Sequence, residues 1–180
     1  MKAKISWVTA DCFADCDFIY DVMEKLCETY SIRWIIVRGP HPRYRDDEYK
    51  IFDTIRDLEI VFVMNKYRQR DPRSILSYWK MFRLSKSFQP DVYYFNMAPS
   101  PFISMLYDKD KSIYCAHDGA PQKDSVKNRV IHTLCFDQTY KYAKFVNMFS
   151  KAQADLYAAN YPRGKIHLMH LALKNLGTPT

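Results

Sequence analysis

Glycine is scarce in this sequence. Only four of its 180 residues are glycine, and these lie far apart, at Gly39, Gly119, Gly164 and Gly177. The Gly-rich loops that cradle nucleotide phosphates, of the dinucleotide or the P-loop type, need several glycines within a few positions. The sequence therefore argues against an independent nucleotide site of the usual kind. A parallel sheet without such a loop usually serves as a scaffold for ligands bound at its strand ends.

Long apolar runs and paired cysteines are also missing. The apolar runs Ile5–Ala10, Trp34–Val37 and Ile60–Met64 are far shorter than the ~20 residues that a membrane-spanning helix needs. The five cysteines are odd in number, and Cys12 and Cys16 lack the spacing of a redox pair or a zinc site. No signal peptide precedes them, so we expect a reducing, cytoplasmic setting.

The composition predicts one folded domain with an anionic partner. Hydrophobic residues make up 48% of the chain, which is enough for one substantial core but short for two domains. We expect a domain over residues 1–176, followed by a tail or the start of a hinge at 177–180. The net charge of +7 favours nucleic acid, a phosphorylated ligand or an acidic lipid surface, without choosing among them.

Strand-length apolar segments alternate with helical patterns along the whole chain. This alternation predicts an α/β fold in which a Rossmann-like parallel sheet carries helices on both faces. The predicted strands are Lys4–Thr9, Ser31–Arg38, Glu59–Asn65, Val92–Asn96, Ser112–Ala116, Phe145–Phe149 and Ile166–Leu171. The predicted helices are Asp17–Tyr30, Arg73–Ser87, a short one from Ser100, Ser125–Tyr142 and Lys151–Ala159, while His41–Asp47 is predicted to be a surface loop.

Ligands of such a sheet bind outside the carboxyl ends of its strands. His117 ends a predicted strand, and its imidazole could hydrogen-bond a hydroxyl or a phosphate near neutral pH; the alternative is a histidine that only caps a loop. Asp118 could orient a hydroxyl or simply form a turn. Asp11, Asn96 and Ser100 follow other predicted strands, and we expect them to bind the same ligand.

Basic residues cluster around the predicted helix Arg73–Ser87. Its stripe of Ile75, Tyr78, Trp79 and Phe82 is what any sheet-covering helix needs, and that interpretation is favoured. A basic, aromatic-rich helix can also lie on an anionic bilayer. The residues expected to contact a membrane or another anion are Lys66, Arg68, Arg70, Arg73, Lys80 and Arg83.

Two Asp-x-Asp patterns resemble metal-binding motifs. They are Asp15-Cys16-Asp17 and Asp108-Lys109-Asp110. Carboxylates before a helix usually act as N-caps and dipole partners, and Asp108–Asp110 lies where a turn between helix and strand is predicted. We therefore expect no metal site.

The C-terminal third resembles a known family. Residues 144–173, KFVNMFSKAQADLYAANYPRGKIHLMHLAL, are similar to the end of the N-terminal domain in glycosyltransferase family 4, where a strand, a serine, a helix, a basic turn and a last strand lead to the hinge. Upstream, FQPDVYYFNM (88–97) and KSIYCAHDG (111–119) resemble that family's proline-aspartate-strand segment and its strand ending in histidine. The chain departs from the family at Ala10–Ala14, where a glycine pair is usual, and at Ala172.

The resemblance implies one half of a GT-B glycosyltransferase. It would be the acceptor-side half, with His117 near the reaction centre and a glycan or lipid-linked acceptor bound at the strand ends. The intact enzyme would be retaining and metal-independent, would transfer a hexosyl group, for example in polysaccharide biosynthesis, and would take a nucleotide-sugar donor. The family's paired glutamates of the donor-binding domain are absent here, so no cofactor is expected in this chain and little transfer is expected from it alone.

Two other classes stay open. One is a basic α/β module that binds nucleic acid through residues 66–83, which is the less favoured partner. The other is a flavodoxin- or receiver-like signalling domain, for which Asp11 and Asp91 are poor acidic-pocket residues. For the glycosyltransferase the expected location is the cytoplasm, with a peripheral position on the inner face of the plasma membrane as a further option.

Overall fold

One parallel sheet organises the chain. The computed structural model describes residues 1–11, 19–67, 71–96, 101–116, 143–161 and 165–168. Within them, the strands follow the order β3-β2-β1-β4-β5-β6-β7, and all neighbouring strands are parallel. The strands are β1 Ala3–Ala10, β2 Tyr30–Arg38, β3 Leu58–Met64, β4 Val92–Phe95, β5 Ser112–Cys115, β6 Phe145–Met148 and β7 Lys165–Leu168. The predicted Rossmann-like sheet is confirmed.

Helices connect these strands. The described α-helices are α1 Ile19–Thr29, α2 Ile75–Ser87, α3 Pro101–Ser104 and α4 Lys151–Asn160, and 3-10 helices span Asp46–Thr54 and Pro72–Ser74. The predicted helix Ser125–Tyr142, the first residues of Asp17–Tyr30 and the tail 177–180 lie outside the described residues.

Capping residues set the starts of two helices. Asp71 accepts a hydrogen bond from the backbone N–H of Arg73 at 2.9 Å, and Pro72 occupies the first position, where no N–H is needed. Ser150 Oγ accepts from the N–H of Gln153 at 3.2 Å and caps α4. Both helices therefore begin where an orphan backbone donor finds a side-chain acceptor.

The sheet is buried on both faces. Strand residues alternate between the faces, so Ile32, Trp34 and Ile36 of β2 pack with α1 and the 3-10 helix Asp46–Thr54. Ile35 and Val37 point the other way and join the larger cluster formed with α2, α3 and α4. Helices therefore cover both faces, as the near-continuous apolar strands require.

Half of the stripe predicted to face the sheet from α2 is buried, and the other half is exposed. Tyr78 and Phe82 are buried as predicted, with Met81 and Ser85, but Ile75 and Trp79 are 37% and 47% exposed. Residues 78, 81, 82 and 85 have the i, i+3, i+4, i+7 spacing of one helix face, which leaves residues 75 and 79 on its edge. The predicted stripe therefore mixed two neighbouring faces.

The predicted surface loop His41–Asp47 is only partly a surface loop. Most of its residues are exposed, but Tyr44 is buried against the cluster that contains Tyr49 and Phe52. The 3-10 helix begins inside this segment, at Asp46. The loop is held to the sheet because three aromatic side chains close together bury their rings over β2.

Candidate functional site

The candidate site lies where the strand order reverses. β1 has β2 on one side and β4 on the other, so the chain leaves β1 towards β2 and leaves β4 towards β5, in opposite directions. Parallel sheets bind ligands beyond the carboxyl ends of the strands at such a point. Asp11 follows β1, and Asn96 follows β4 and donates its backbone N–H to the carbonyl oxygen of Val8 at 2.9 Å. The structure thus brings the strand ends that carry two predicted acceptor-binding residues to the same edge.

The carboxylate of Asp11 is already engaged inside the protein. Its Oδ2 accepts the backbone N–H groups of Arg43 at 2.9 Å and Tyr44 at 3.4 Å, and its Oδ1 accepts the hydroxyl of Tyr49. Only 7% of its side chain is exposed. Asp11 therefore fixes the segment after β2 in this structure, and its role in acceptor binding stays a prediction.

Arg38 is a site residue that the sequence patterns above do not predict. It ends β2 with only 4% of its side chain exposed, and its Nη1 donates to the carboxylate of Asp46. Its Nε lies 3.7 Å from Asp11 Oδ1. The guanidinium lies over the ring of Phe62 at 3.8 Å and that of Tyr49 at 5.0 Å, so two aromatic faces support its charge.

Tyr49 joins the two charged residues. Burial, with the hydrogen bond to Asp11 next in importance, raises the pKa of the Tyr49 hydroxyl far above its ordinary value. The hydroxyl therefore stays protonated at neutral pH and donates to Asp11. We call Asp11, Arg38, Asp46 and Tyr49 the β1–β2 polar cluster.

One signal in the sequence could have pointed to this cluster. Parallel pairing joins Ala10 to Val37, so the residues that follow each of them, Asp11 and Arg38, come next to each other on the same face. An arginine that ends a strongly apolar strand is unusual, because buried charges need partners. Its partners, however, depend on a register that the sequence alone does not give.

Several predicted site residues lie outside the part of the chain that the structure describes. His117 follows Ala116, which is buried just beyond β5, but His117 and Asp118 lie outside the described residues, as do Ser100, Arg68 and Arg70. Their catalytic, acceptor-binding and anion-binding roles stay predictions.

The remaining basic residues lie on the surface. Lys66, Arg73, Lys80 and Arg83 are all exposed. Arg73 is paired with Asp71 at 2.7 Å and lies over the ring of Tyr67 at 4.2 Å. Its charge is therefore partly neutralised by a neighbouring residue. Lys80 and Arg83 stand on α2 beside Leu76, which is 74% exposed, and Trp79. We call Ile75, Leu76, Trp79, Lys80 and Arg83 the α2 surface.

The Asp108–Asp110 pattern forms a turn. Asp108 Oδ1 accepts the backbone N–H of Asp110 at 2.9 Å, and the Lys144 ammonium donates to Asp110 at 2.6 Å. That hydrogen bond lowers the pKa of Asp110. Across the part of the chain that the structure describes, no three His, Cys, Asp or Glu side chains are grouped as metal ligands would be. The other pattern, Asp15–Asp17, lies outside that part.

The fold defines a class of protein. A doubly wound parallel sheet with helices on both faces is the Rossmann-like architecture of one half of a GT-B protein, and the solved structures that resemble this chain have that architecture. Among the described helices, none is long and apolar enough to cross a bilayer.

Two of these structures show how far the likeness extends. One is a putative UDP-N-acetylglucosamine 2-epimerase from Listeria monocytogenes, with a TM-score of 0.58 and 14% identity over 88% of this chain and 42% of that chain. Another is HepE of Anabaena, solved with UDP and glucose, with a TM-score of 0.54 and 12% identity over 95% of this chain and 45% of that chain.

At such identities the likeness shows the fold alone, and this chain spans less than half the length of either protein. No protein-family model and no curated protein matches the sequence.

Proposed function

We propose that this chain provides the acceptor-side half of a GT-B glycosyltransferase, as its sequence resemblance to family 4 implies. The observation that carries the proposal is the reversal of strand order at β1, which brings the carboxyl ends of β1 and β4 side by side where sheets of this kind bind ligands. One structural neighbour is named for a nucleotide sugar, UDP-N-acetylglucosamine, and the other was solved with UDP and glucose, which favours sugar chemistry for this chain as well. The nucleotide-sugar donor would then be held by a second, donor-binding half.

There is a chemical reason why the donor and the acceptor would be bound by different halves. Stabilising the departing phosphate needs cationic groups and helix N-termini aimed at it, and in this fold most of them come from the donor-binding half. The acceptor needs hydrogen bonds that orient one hydroxyl, which strand-end side chains such as Asn96 and, by prediction, His117 and Asp118 can supply. We therefore expect acceptor binding without turnover from residues 1–180 alone.

Acceptor binding can be tested with a simple lipid-linked sugar. We would titrate octyl β-glucoside, below its micelle concentration, into the ¹⁵N-labelled chain and follow backbone amide signals, with octanol as the control ligand. Shifts confined to the carboxyl ends of β1 and β4 are expected. Asn96→Ala should weaken binding roughly 2- to 10-fold, the range of one lost hydrogen bond.

A matched control lies at the opposite end of the same strand. Asp91 precedes β4, is exposed and accepts the backbone N–H of Lys4 at 2.8 Å, so Asp91→Asn keeps an acceptor and should leave affinity unchanged. Equal effects of the two substitutions, or shifts at the amino ends of the strands, would refute the proposed acceptor site. Robust turnover of UDP-glucose by this chain alone would contradict the assignment of donor chemistry to another half.

The α2 surface supports a second proposal, peripheral binding to an anionic membrane. Residues 75, 79 and 83 are spaced by four and share one stripe, with residues 76 and 80 on the next, so Trp79 lies beside Arg83 and Leu76 lies beside Lys80. Exposed apolar residues beside lysine and arginine suit the boundary between headgroups and acyl chains. A lipid-linked acceptor would be found at that same boundary.

Vesicle cosedimentation tests the membrane proposal. The chain should bind vesicles of phosphatidylcholine with phosphatidylglycerol more tightly than phosphatidylcholine alone, and Leu76→Ser with Trp79→Ser should abolish that binding. Leu156→Ser is the control, because Leu156 is also exposed, at 44%, but stands on α4 and is not part of the α2 surface. If the double variant still bound anionic vesicles and bound duplex DNA with similar affinity, the nucleic-acid alternative would be supported instead.

A further inference from the structure

The guanidinium of Arg38 is buried, and two of its nitrogen donors are unsatisfied. Its Nη1 bonds to Asp46, but its Nε and Nη2 are shielded from solvent and make no hydrogen bond of good geometry in the part of the chain that the structure describes, although the Tyr49 hydroxyl lies near the guanidinium. A buried polar group left unpaired is unfavourable, and native proteins keep few of them. Two such donors on one side chain therefore indicate a place that another acceptor can fill.

Asp11 does not fill it. Its two oxygens already accept from the Tyr49 hydroxyl and from the N–H groups of Arg43 and Tyr44, and its distance of 3.7 Å from Arg38 Nε exceeds a hydrogen bond. The Asp11 carboxylate mainly binds donors of the segment after β2. Among the described residues, the hydrogen-bonded counterion of Arg38 is Asp46.

Asp46 holds Arg38 from the solvent side. Its side chain is 78% exposed although Arg38 is only 4% exposed, and it stands on the first residue of a 3-10 helix at the carboxyl end of the sheet. An exposed carboxylate on an arginine at this edge occupies the position that a ligand's oxyanion would take. Because the Asp46 side chain is exposed, it can turn into solvent when another anion takes its place on Arg38.

We propose that Arg38 binds a phosphate group of a ligand, and that Asp46 occupies this position until the phosphate displaces it. A phosphate monoester can accept from two guanidinium nitrogens at once, here Nη1 and Nη2, so it would also serve a donor that Asp46 leaves unpaired. Phe62 and Tyr49 keep the plane of the guanidinium fixed from its faces. The site goes beyond the proposed transfer reaction and stands whether or not the chain handles sugars.

Arginine side-chain NMR tests the proposal directly. The Nε–H signal of Arg38, assigned by its loss in Arg38→Lys, is followed while inorganic phosphate replaces chloride at constant ionic strength and pH 7. A saturable shift of that signal is expected. Asp46→Asn removes the competing charge and should tighten phosphate binding about fivefold, which corresponds to about 1 kcal/mol.

Asp47→Asn is the matched control. Asp47 is the next residue, is 54% exposed and pairs with Arg45 at 3.3 Å, so its substitution changes net charge equally without touching Arg38. Phosphate affinity should be unchanged in this variant. Equal tightening in both variants would mean a general charge effect and would overturn the site.

The ligand class is tested by two further titrations. UDP, which carries a terminal phosphate, should shift the Arg38 signal as inorganic phosphate does, whereas glucuronate should not. Shifts with glucuronate and none with phosphate would overturn the assignment to phosphate. Should Arg38→Lys fail to fold, the remaining arginine variants assign the signal by elimination and the Asp46 comparison still decides the outcome. None of these measurements involves glycosyl transfer, so failure here is separable from failure of the proposed function.

Discussion

Truncating the Asp11 carboxylate should strongly destabilise the domain. Asp11→Ala removes the acceptor for the Tyr49 hydroxyl and for two backbone N–H groups, together with a negative charge 3.7 Å from Arg38 Nε. The segment after β2 loses its attachment to β1. Arg38 keeps its bond to Asp46 but remains buried beside fewer negative charges.

The magnitude follows from these losses. Removing one partner of a buried ion pair destabilises proteins by about 3–5 kcal/mol. Asp46 still compensates Arg38, and the freed backbone groups of the exposed Arg43 can bind water, so we expect the lower end, about 3 kcal/mol. Domains are stable by only about 5–15 kcal/mol, so this is a large share of the total.

Urea denaturation followed by circular dichroism measures the effect. Asp11→Asn keeps one good acceptor and should be intermediate, and Tyr49→Phe should cost about 1.5–3 kcal/mol, the value of a hydrogen bond to a charged group. Asp46→Ala should cost less than Asp11→Ala, because the Asp46 side chain is 78% exposed, although the substitution removes the hydrogen-bonded partner of the buried Arg38.

A loss below about 1 kcal/mol for Asp11→Ala, with an unchanged denaturant slope, would refute the reasoning. The carboxylate would then not be an internal anchor. Its predicted role in acceptor binding would become the better explanation of its position at the end of β1.

Two further predictions concern other parts of the fold. Ser150→Ala should destabilise the domain by about 1 kcal/mol in the same assay, because α4 loses the acceptor for the Gln153 N–H, while Ser150→Asp should restore most of it. Burial raises the pKa of the Cys115 thiol from 9.0 to about 11. The folded state then favours the protonated thiol, so its contribution to stability is fully present below pH 9.0 and is lost as pH rises toward about 11. Between pH 8 and pH 10 the free energy of unfolding, measured with urea, should fall less in Cys115→Ala than in the unsubstituted chain. An equal fall in both would contradict this account.

The strands were predictable because their signal is local. β2 reads YSIRWIIVR and β3 reads LEIVFVM, and such apolar runs are long enough for a strand buried on both faces but too short for a helix. Right-handed crossovers then leave few ways to arrange alternating strands and helices. The parallel sheet therefore followed from segment lengths without any knowledge of contacts.

The inward face of α2 was not predictable in the same way. Its sequence, ILSYWKMFRLSKS, carries apolar residues around much of its circumference, so several faces look suitable. The structure selects the face where Tyr78 and Met81 reach the sheet and where Ser85 Oγ accepts a hydrogen bond from Ser6 Oγ at 3.0 Å. That choice depends on a residue 79 positions away, which periodicity within the helix cannot reveal.

The distance between two candidate contacts yields a last prediction. Asn96 follows β4 and Arg38 ends β2, and β1 separates them, so their strands lie two inter-strand spacings apart, about 10 Å. A sugar phosphate is about that long, so one molecule could reach both residues. Glucose 6-phosphate should then bind more tightly than glucose or inorganic phosphate, with Asn96→Ala and Asp46→Asn changing its affinity in opposite directions. Both substitutions should change the affinity for glucose 6-phosphate, because a single ligand contacts both residues. A change with only one of them would mean two separate ligands at this edge of the sheet, with the phosphate at Arg38 belonging to neither the acceptor nor its sugar.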